Sequence, residues 1–252
     1  MERSSEPKLR SFNIVMGFLH LLQAGLIYYL STDFSLPITV SHLTGQPGEA
    51  GLLTETLIEI PIGPAVALFL LISSIAHFYV STIGYSSYIR YLDKKVNPYR
   101  WVEYTFSASL MIVIIAMFTG IYDLGYLLAI GFLNASMIWF GWLMEKFNDF
   151  EKEIDWSPYI FGCVAGAIPW IAIALYLIKG FISATGQVPE FVLWIYISIA
   201  IFFNIFAINQ YLQYKQIGAW KNYIFGEKMY IVLSLVAKSA LAWQIFSGTL
   251  MG

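Results

Sequence analysis

Long apolar stretches separated by short polar segments dominate this chain. Seven of them are of the length, about 20 residues, that an α-helix needs to cross the hydrocarbon core of a bilayer. They are residues 11–30, 61–88, 98–120, 123–145, 157–179, 189–214 and 223–249. We therefore predict an all-α membrane protein with seven transmembrane helices, labelled spans A to G in chain order.

Local signals agree with two of these boundaries. Asn97 followed by Pro98 predicts the start of span C, because Asn caps helix N-termini and Pro is favoured at the first helical position. The segment Trp156-Ser-Pro158 predicts the start of span E in a similar way. We expect a single seven-helix domain over residues 1–252.

The connection between spans A and B, residues 31–60, is the one long loop. Two strand-like segments, Phe34–Val40 and Leu52–Ile58, flank Gly45-Gln-Pro-Gly48, which predicts a short β-hairpin with Gly and Pro at its turn. The edge of a hairpin can pair with another chain. The loop is therefore a candidate dimer contact, and a simple solvated cap is an equally good interpretation.

Composition and charge support a membrane protein and give its orientation. The chain is 58% hydrophobic and 12% charged, whereas soluble domains are about 25% charged. Basic residues near span ends stay in the cytoplasm, which predicts a cytoplasmic N-terminus and an extracellular C-terminus and argues against a G-protein-coupled receptor. The side of the N-terminus holds twelve of the 14 Lys and Arg residues: Arg3, Lys8, Arg10, Arg90, Lys94, Lys95, Arg100, Lys146, Lys152, Lys215, Lys221 and Lys228. Lys179 lies on the other side, and Lys238 lies inside span G.

Lys238 occupies an otherwise uncharged stretch from Met229 to Gly248. An ammonium group at the bilayer centre costs about 3 kcal/mol on insertion scales. The lysine must therefore be paired, neutral or covalently modified. A structural ion pair is the simpler interpretation, but a buried pair is seldom more stable than an apolar replacement, which favours a functional lysine.

Glu103 is the predicted partner of Lys238. It is the one carboxylate that the sequence places well inside a span, roughly 7 Å from the cytoplasmic end of span C. Helical side chains lean toward the N-terminus of their helix, so the Lys238 amine should point to the cytoplasmic side, with Ser234 one turn earlier on the same face. An interfacial Glu103 paired with Arg100 remains an open alternative.

A buried lysine suits condensation with an aldehyde, since desolvation favours the neutral, nucleophilic amine. A protonated imine then needs a counter-charge, which Glu103 would supply. The aromatic residues Trp170, Phe203 and Trp243 would suit a conjugated ligand. Individually such residues are more often packing residues, since the chain is 17% aromatic, but together with the lysine they indicate a retinal pocket.

His20 and His77 lie at similar depth in spans A and B. They either hold a transient proton or are satisfied core groups. We expect no metal site, because no third ligand lies at their level.

These residues also carry a resemblance: over nearly its full length the chain resembles the heliorhodopsins. The matching segments are Phe18-Leu-His-Leu-Leu-Gln23, Arg100-Trp-Val-Glu-Tyr104, Asn134-Ala-Ser-Met137, Phe140-Gly-Trp142, Gln210-Tyr-Leu-Gln-Tyr-Lys215 and the span G run from Tyr230 to Thr249. The resemblance implies a rhodopsin-like bundle with a cytoplasmic N-terminus, which agrees with the charge distribution.

The resemblance further implies a role for each matching position. Lys238 would carry all-trans retinal as a Schiff base, with Glu103 as counterion and Ser234 and Ser73 hydrogen-bonded nearby. His20 and His77 would form a proton-accepting polar cluster. The pocket would be lined by Met137, Gly141, Trp170, Phe203, Gln210 and Trp243. A homodimer would form through transmembrane helices and the outer loop.

We accordingly expect a light-sensing photoreceptor of the cell membrane, without enzymatic activity or a nucleic-acid partner. Its retinal would isomerise, and its Schiff base would lose a proton, in a photocycle without net ion pumping. A light-driven or light-gated proton or ion transporter is one alternative. A light-dependent regulator of a cytoplasmic enzyme, through an unidentified signalling partner, is another.

Overall fold

The structure is a computed structural model that describes residues 6–48, 51–183 and 188–250, so Arg3 lies outside the described residues. Its elements follow the alternation of apolar and polar segments. The helices are α1 (Glu6–Leu30), α2 (Ile62–Ser81), α3 (Tyr85–Asp93), α4 (Pro98–Phe118), α5 (Leu124–Phe147), α6 (Ser157–Ile182), α7 (Glu190–Tyr214) and α8 (Tyr223–Ile245). The strands are β1 (Ser35–Leu43) and β2 (Leu52–Pro61). A 3₁₀ turn (Gly218–Lys221) precedes α8, and a π-helical turn (Phe246–Leu250) follows it.

Seven of the described helices, all except α3, are long and apolar enough to cross a membrane. This confirms the predicted seven-helix architecture. Asn97 caps α4 as expected, since its side chain accepts a hydrogen bond from the backbone N–H of Arg100 at 3.2 Å. Helix α6 begins at Ser157, the predicted position.

The predicted extent of span B, residues 61–88, is wrong at its C-terminal end. Helix α2 stops at Ser81, and Thr82 adopts a non-helical backbone with φ −124° and ψ −97°. The chain then turns, with the N–H of Gly84 bonded to the carbonyl of Tyr79 at 2.8 Å. The separate helix α3 that follows is amphipathic, because Tyr88 and Leu92 are buried while its polar residues face outward.

The predicted hairpin is present, with strands longer than the sequence indicated. The two strands pair antiparallel from Ser35 opposite Pro61 to Leu43 opposite Leu52, with an irregularity between Ile38 and Thr39. The turn contains Gly48 at φ +89°, a left-handed conformation that glycine adopts without steric cost.

The outer edge of β1 is fixed to the connection between α4 and α5. The N–H of Thr39 donates to the carbonyl of Tyr122 at 2.9 Å, and the N–H of Ser41 donates to Asp123 Oδ2 at 3.0 Å. Asp123 also caps α5 by accepting from the N–H of Gly125 at 2.9 Å. The hairpin therefore rests on its own bundle by one edge and leaves the edge of β2 free in the described chain.

The interior of the bundle differs between its two halves. The half near the hairpin holds the main apolar core, which includes Ile27, Phe69, Ile115, Ile195 and Leu241. The buried polar side chains lie between mid-bundle and the opposite end, called the N-terminal end here because α1 begins there. They are Asn13, His20, Ser73, Ser74, Ser81, Asn97, Arg100, Glu103, Ser107, Asn134, Glu145, Asn209, Gln210, Gln213, Glu227, Ser234 and Lys238. Polar groups inside a membrane domain usually face the bundle interior and mark functional sites.

Candidate functional site

A pocket opens in the middle of the bundle between α4, α5, α6, α7 and α8. It surrounds about 820 Å³ of space, a figure that includes its open end. Its walls are mainly apolar and aromatic, and among the described residues Lys238 is the one charged side chain that lines it. The pocket can therefore hold an apolar ligand in contact with an amine.

The Lys238 amine has two close partners. Its Nζ lies 3.0 Å from Glu103 Oε1 and 2.7 Å from Ser234 Oγ. The hydroxyl of Ser73 donates to the same Glu103 oxygen at 2.6 Å. All four side chains are buried. Lys238 and Ser234 are four residues apart on α8 and so share a face, while Glu103 comes from α4 and Ser73 from α2.

The pocket brings together five of the residues predicted to surround the lysine: Met137, Gly141, Phe203, Gln210 and Ser234. Glu103 and Ser73 lie on the other side of the lysine, where they line a second, smaller cavity of about 430 Å³.

Two predicted pocket residues lie outside the pocket lining. Trp170 packs edge-on against Phe203, with ring centroids 5.3 Å apart. Trp243 points toward α1, where its indole N–H donates to Gln23 Oε1 at 3.0 Å. Aromatic character and position along the helix favour a place in the pocket for both residues. The direction of each ring, however, is determined by the packing of neighbouring helices.

The structure adds lining residues that the sequence prediction missed. They are Trp101, Tyr104, Ala108, Met111, Ile138, Pro158, Tyr159, Gly162, Cys163, Phe206, Ala207, Tyr230 and Ala237. A signal for some of them exists, because the first four follow one another at helical spacing along a single face of α4. Tyr230 and Ala237 likewise share the face of α8 that carries the lysine.

Glycines allow the pocket walls to approach one another. A Cβ atom on Gly141 would lie 2.6 Å from two ring atoms of Trp101, so the indole occupies the space that a side chain would fill. The carbonyl of Gly141 accepts a hydrogen bond from Gln210 Nε2 at 2.9 Å. A Cβ on Gly162 would lie 3.2 Å from Phe140 Cβ, which brings α6 close to α5.

His20 and His77 form a stacked pair with ring centroids 5.6 Å apart and planes 12° apart. His77 Nδ1 is 2.8 Å from Asn13 Oδ1. His20 is fully buried, and within the described residues neither of its ring nitrogens has a hydrogen-bond partner. Orphaned buried nitrogens of this kind are where ordered water is normally found. The described residues contain no group of three or more His, Cys, Asp or Glu side chains able to hold a metal ion.

Arg100 does not pair with Glu103. Its guanidinium instead forms ion pairs with Glu145 and Glu227, and all three side chains are buried at the N-terminal end. Asn97 completes this cluster: its N–H donates to Glu145 Oε2 at 2.9 Å, and its Nδ2 donates to Glu227 Oε2 at 2.8 Å. Glu103 is therefore not the only buried carboxylate among the described residues, although Glu145 and Glu227 lie near helix ends.

Sequence patterns alone do not predict this ion cluster, which comprises Arg100, Glu145 and Glu227. Both carboxylates lie in terminal helical turns, where the sequence alone suggests exposure to water. They are buried because the first turn of α8 and the last turn of α5 both pack beside Asn97 and the start of α4.

These observations define a seven-helix membrane protein with a buried lysine and carboxylate at the wall of an aromatic pocket. Comparison with family models gives the family: residues 9–250 match the model for Heliorhodopsin. The chain belongs to the heliorhodopsin family, which confirms the resemblance. A comparison with curated proteins finds no match.

Solved structures with the same fold include two from Salpingoeca rosetta. The transmembrane domain of its rhodopsin phosphodiesterase superimposes with a TM-score of 0.65 at 12% identity, covering 98% of this chain and 84% of that one. The transmembrane domain with its linker region gives a TM-score of 0.67 at 12% identity, covering 95% and 70%. At this identity the similarity shows a shared rhodopsin-like fold.

Proposed function

We propose that this protein is a light sensor that binds all-trans retinal covalently through Lys238. Membership of the heliorhodopsin family supports a retinal chromophore. The observation that carries the proposal is the buried amine of Lys238 at the wall of an aromatic pocket, with Glu103 and Ser234 within hydrogen-bond distance.

The residues present fit such a group. The pocket is mainly apolar and is walled by aromatic rings, and Lys238 supplies the one amine among the described residues of its lining. A cation formed at that nitrogen would face Glu103, so it would not be left unpaired in a low-dielectric interior. Bound retinal would supply light absorption and a change of shape on excitation.

The side chains around the nitrogen would hold charge and protons. Glu103 would act as the counterion, kept in place by the hydroxyl of Ser73 at 2.6 Å. Ser234 offers a second hydrogen-bond partner to the nitrogen. The stacked His20 and His77, adjoining the cavity that Glu103 and Ser73 line, would form the proton-accepting cluster.

We further propose that the N-terminal end of the bundle is cytoplasmic and the C-terminus extracellular. The basic residues near helix ends support this orientation. A homodimer would form through the transmembrane helices and the hairpin, whose free β2 edge carries exposed apolar residues such as Leu52 and Leu57.

Reconstitution tests the covalent link. The purified retinal-free protein is mixed with all-trans retinal, and its visible absorbance is recorded for the wild type and for Lys238→Ala. Lys228→Ala is the matched control, since Lys228 lies on the same helix but outside the pocket lining. We expect a visible band in the wild type and the control and none in Lys238→Ala. A band that survives Lys238→Ala would overturn the proposal.

Sensing without net pumping is favoured over transport by the position of the buried carboxylates. Glu103, Glu145 and Glu227 all lie in the N-terminal half, and the described core of the other half is apolar. A vectorial proton path needs titratable groups on both sides of the lysine. Light-induced pH change in a cell suspension is the test, measured with and without a protonophore. A signal that the protonophore abolishes would exclude the proposal of sensing without transport.

A further inference from the structure

A hydrogen bond joins the pocket wall to the ion cluster. The ring of Trp101 lines the pocket. Its indole N–H points the other way and donates to Glu145 Oε2 at 2.6 Å. Within the described residues, Trp101 is therefore the direct hydrogen-bond connection between the pocket wall and the ion cluster.

The indole has little freedom to move independently of the pocket. It is buried, and its ring lies against Gly141 in the space that a Cβ atom would fill. Tyr104 and Tyr230 contact it edge-on, with centroid distances of 6.4 and 6.1 Å. A change in the shape of the pocket at Gly141 must displace this ring, and the displacement acts directly on its bond to Glu145.

The ion cluster in turn joins three helices at the N-terminal end of the bundle. Arg100 is on α4, Glu145 on α5 and Glu227 on α8, and the guanidinium also lies 3.8 Å from the centroid of the Tyr230 ring. The cluster holds two carboxylates and one guanidinium, so Glu145 depends on its neutral donors, Trp101 and Asn97, for the rest of its stabilisation. Loss of one donor from a buried carboxylate carries a large penalty.

We propose that Trp101 is a positioning residue that transmits a change in the shape of the pocket to the ion cluster and so to the ends of α4, α5 and α8. The signal leaves the pocket through the Trp101–Glu145 hydrogen bond. This inference rests on the proposed light-sensing function, because light would supply the change of shape. A partner at the N-terminal end of the bundle would detect that change through the ends of these three helices.

Infrared spectroscopy of the retinal-free protein tests the connection itself. The indole N–H stretch of Trp101 is assigned as the band lost in Trp101→Phe, which keeps an aromatic ring but removes the donor. Trp194→Phe is the control, since Trp194 is exposed on α7. We expect the Trp101 band at the low frequency of a charge-assisted hydrogen bond, moving up in Glu145→Gln. A band at the frequency of a free indole would overturn the proposal.

Light-minus-dark infrared spectra of the retinal-bound protein then test whether a change in the pocket reaches the ion cluster. The spectra are scaled to the visible absorbance of each variant. We expect carboxylate difference bands that disappear in Glu145→Gln and fall at least threefold in Trp101→Phe. Glu227→Gln should retain a light-induced shift of the Trp101 N–H band, because it leaves the Trp101–Glu145 bond in place.

Glu145 bands of full size in Trp101→Phe would show that the indole only packs, and would overturn the proposal. Failure of the proposed function looks different: the wild type would then form no visible band at all.

Discussion

Gly141→Ala is a sharp test of how tightly the pocket wall is packed. The added Cβ would lie 2.6 Å from two atoms of the Trp101 ring, about 1 Å closer than carbon atoms normally approach. The ring cannot easily move away, because Glu145 holds its N–H at 2.6 Å. Overpacking of this kind costs about 1–3 kcal/mol.

The same substitution at Gly131 provides the reference. Gly131 is also on α5, and a Cβ there would meet Val113 Cγ2 at 3.4 Å, an acceptable contact. Replacing a helical Gly by Ala contributes about 0.5–1 kcal/mol of stability at either site, so this gain cancels in the comparison. Gly141→Ala should therefore be less stable than Gly131→Ala by about 1–3 kcal/mol.

The assay measures the free energy of unfolding of the retinal-free protein in detergent, with circular dichroism as the signal. Adding Trp101→Phe to Gly141→Ala should recover part of the loss, since neighbouring substitutions that share a contact are not additive. After retinal is added, the absorbance maximum should move in Gly141→Ala and stay in place in Gly131→Ala. Equal stabilities and equal maxima for the two variants would refute the packing argument.

Three further predictions concern charged groups. Glu103→Gln should shift the visible band to longer wavelength in an absorbance scan, because the counter-charge 3.0 Å from the Lys238 nitrogen is lost; an unshifted band would remove Glu103 as counterion. Arg100→Gln should destabilise the protein by about 3–5 kcal/mol in the unfolding assay, since two buried carboxylates lose their cation, whereas the exposed Arg90→Gln should change stability by about 0.5 kcal/mol or less. Hydrogen bonds from Ser157 lower the pKa of Asp155, so the contribution of Asp155 to the start of α6 is present at neutral pH and is lost as the pH falls through that lowered pKa. Amide protection factors at the start of α6, which correct for the intrinsic pH dependence of exchange, should fall over that range in the wild type and stay constant in Asp155→Asn.

The membrane architecture could be predicted from the sequence because the bilayer imposes a length and a polarity on each spanning helix. The same reasoning singled out Lys238, since a charge in an apolar stretch is costly. The direction of α8 then indicated Glu103, and the structure places the two side chains 3.0 Å apart. Each of these features depends on the length, polarity or direction of individual helices, which the sequence specifies segment by segment.

The rest of the site depends on how helices pack against one another, which no single segment specifies. Trp243 has the composition of a pocket residue, yet its indole bonds to Gln23 on α1. Glu227 has the position of a surface residue, yet the start of α4 covers it. The end of α2 at Ser81 was missed for a related reason, because the residues after it still carry enough apolar side chains to resemble a continuing span.

The hairpin has a consequence for how many copies can assemble. One edge of its sheet is already used, since Thr39 and Ser41 on β1 bond to Tyr122 and Asp123 of the same chain. Strand pairing between copies would thus be limited to β2, and a contact between two identical edges is self-complementary. Such a contact involves two chains and leaves no free strand edge for a third. Strand pairing through the hairpin would therefore produce a dimer and could not continue into a fibre.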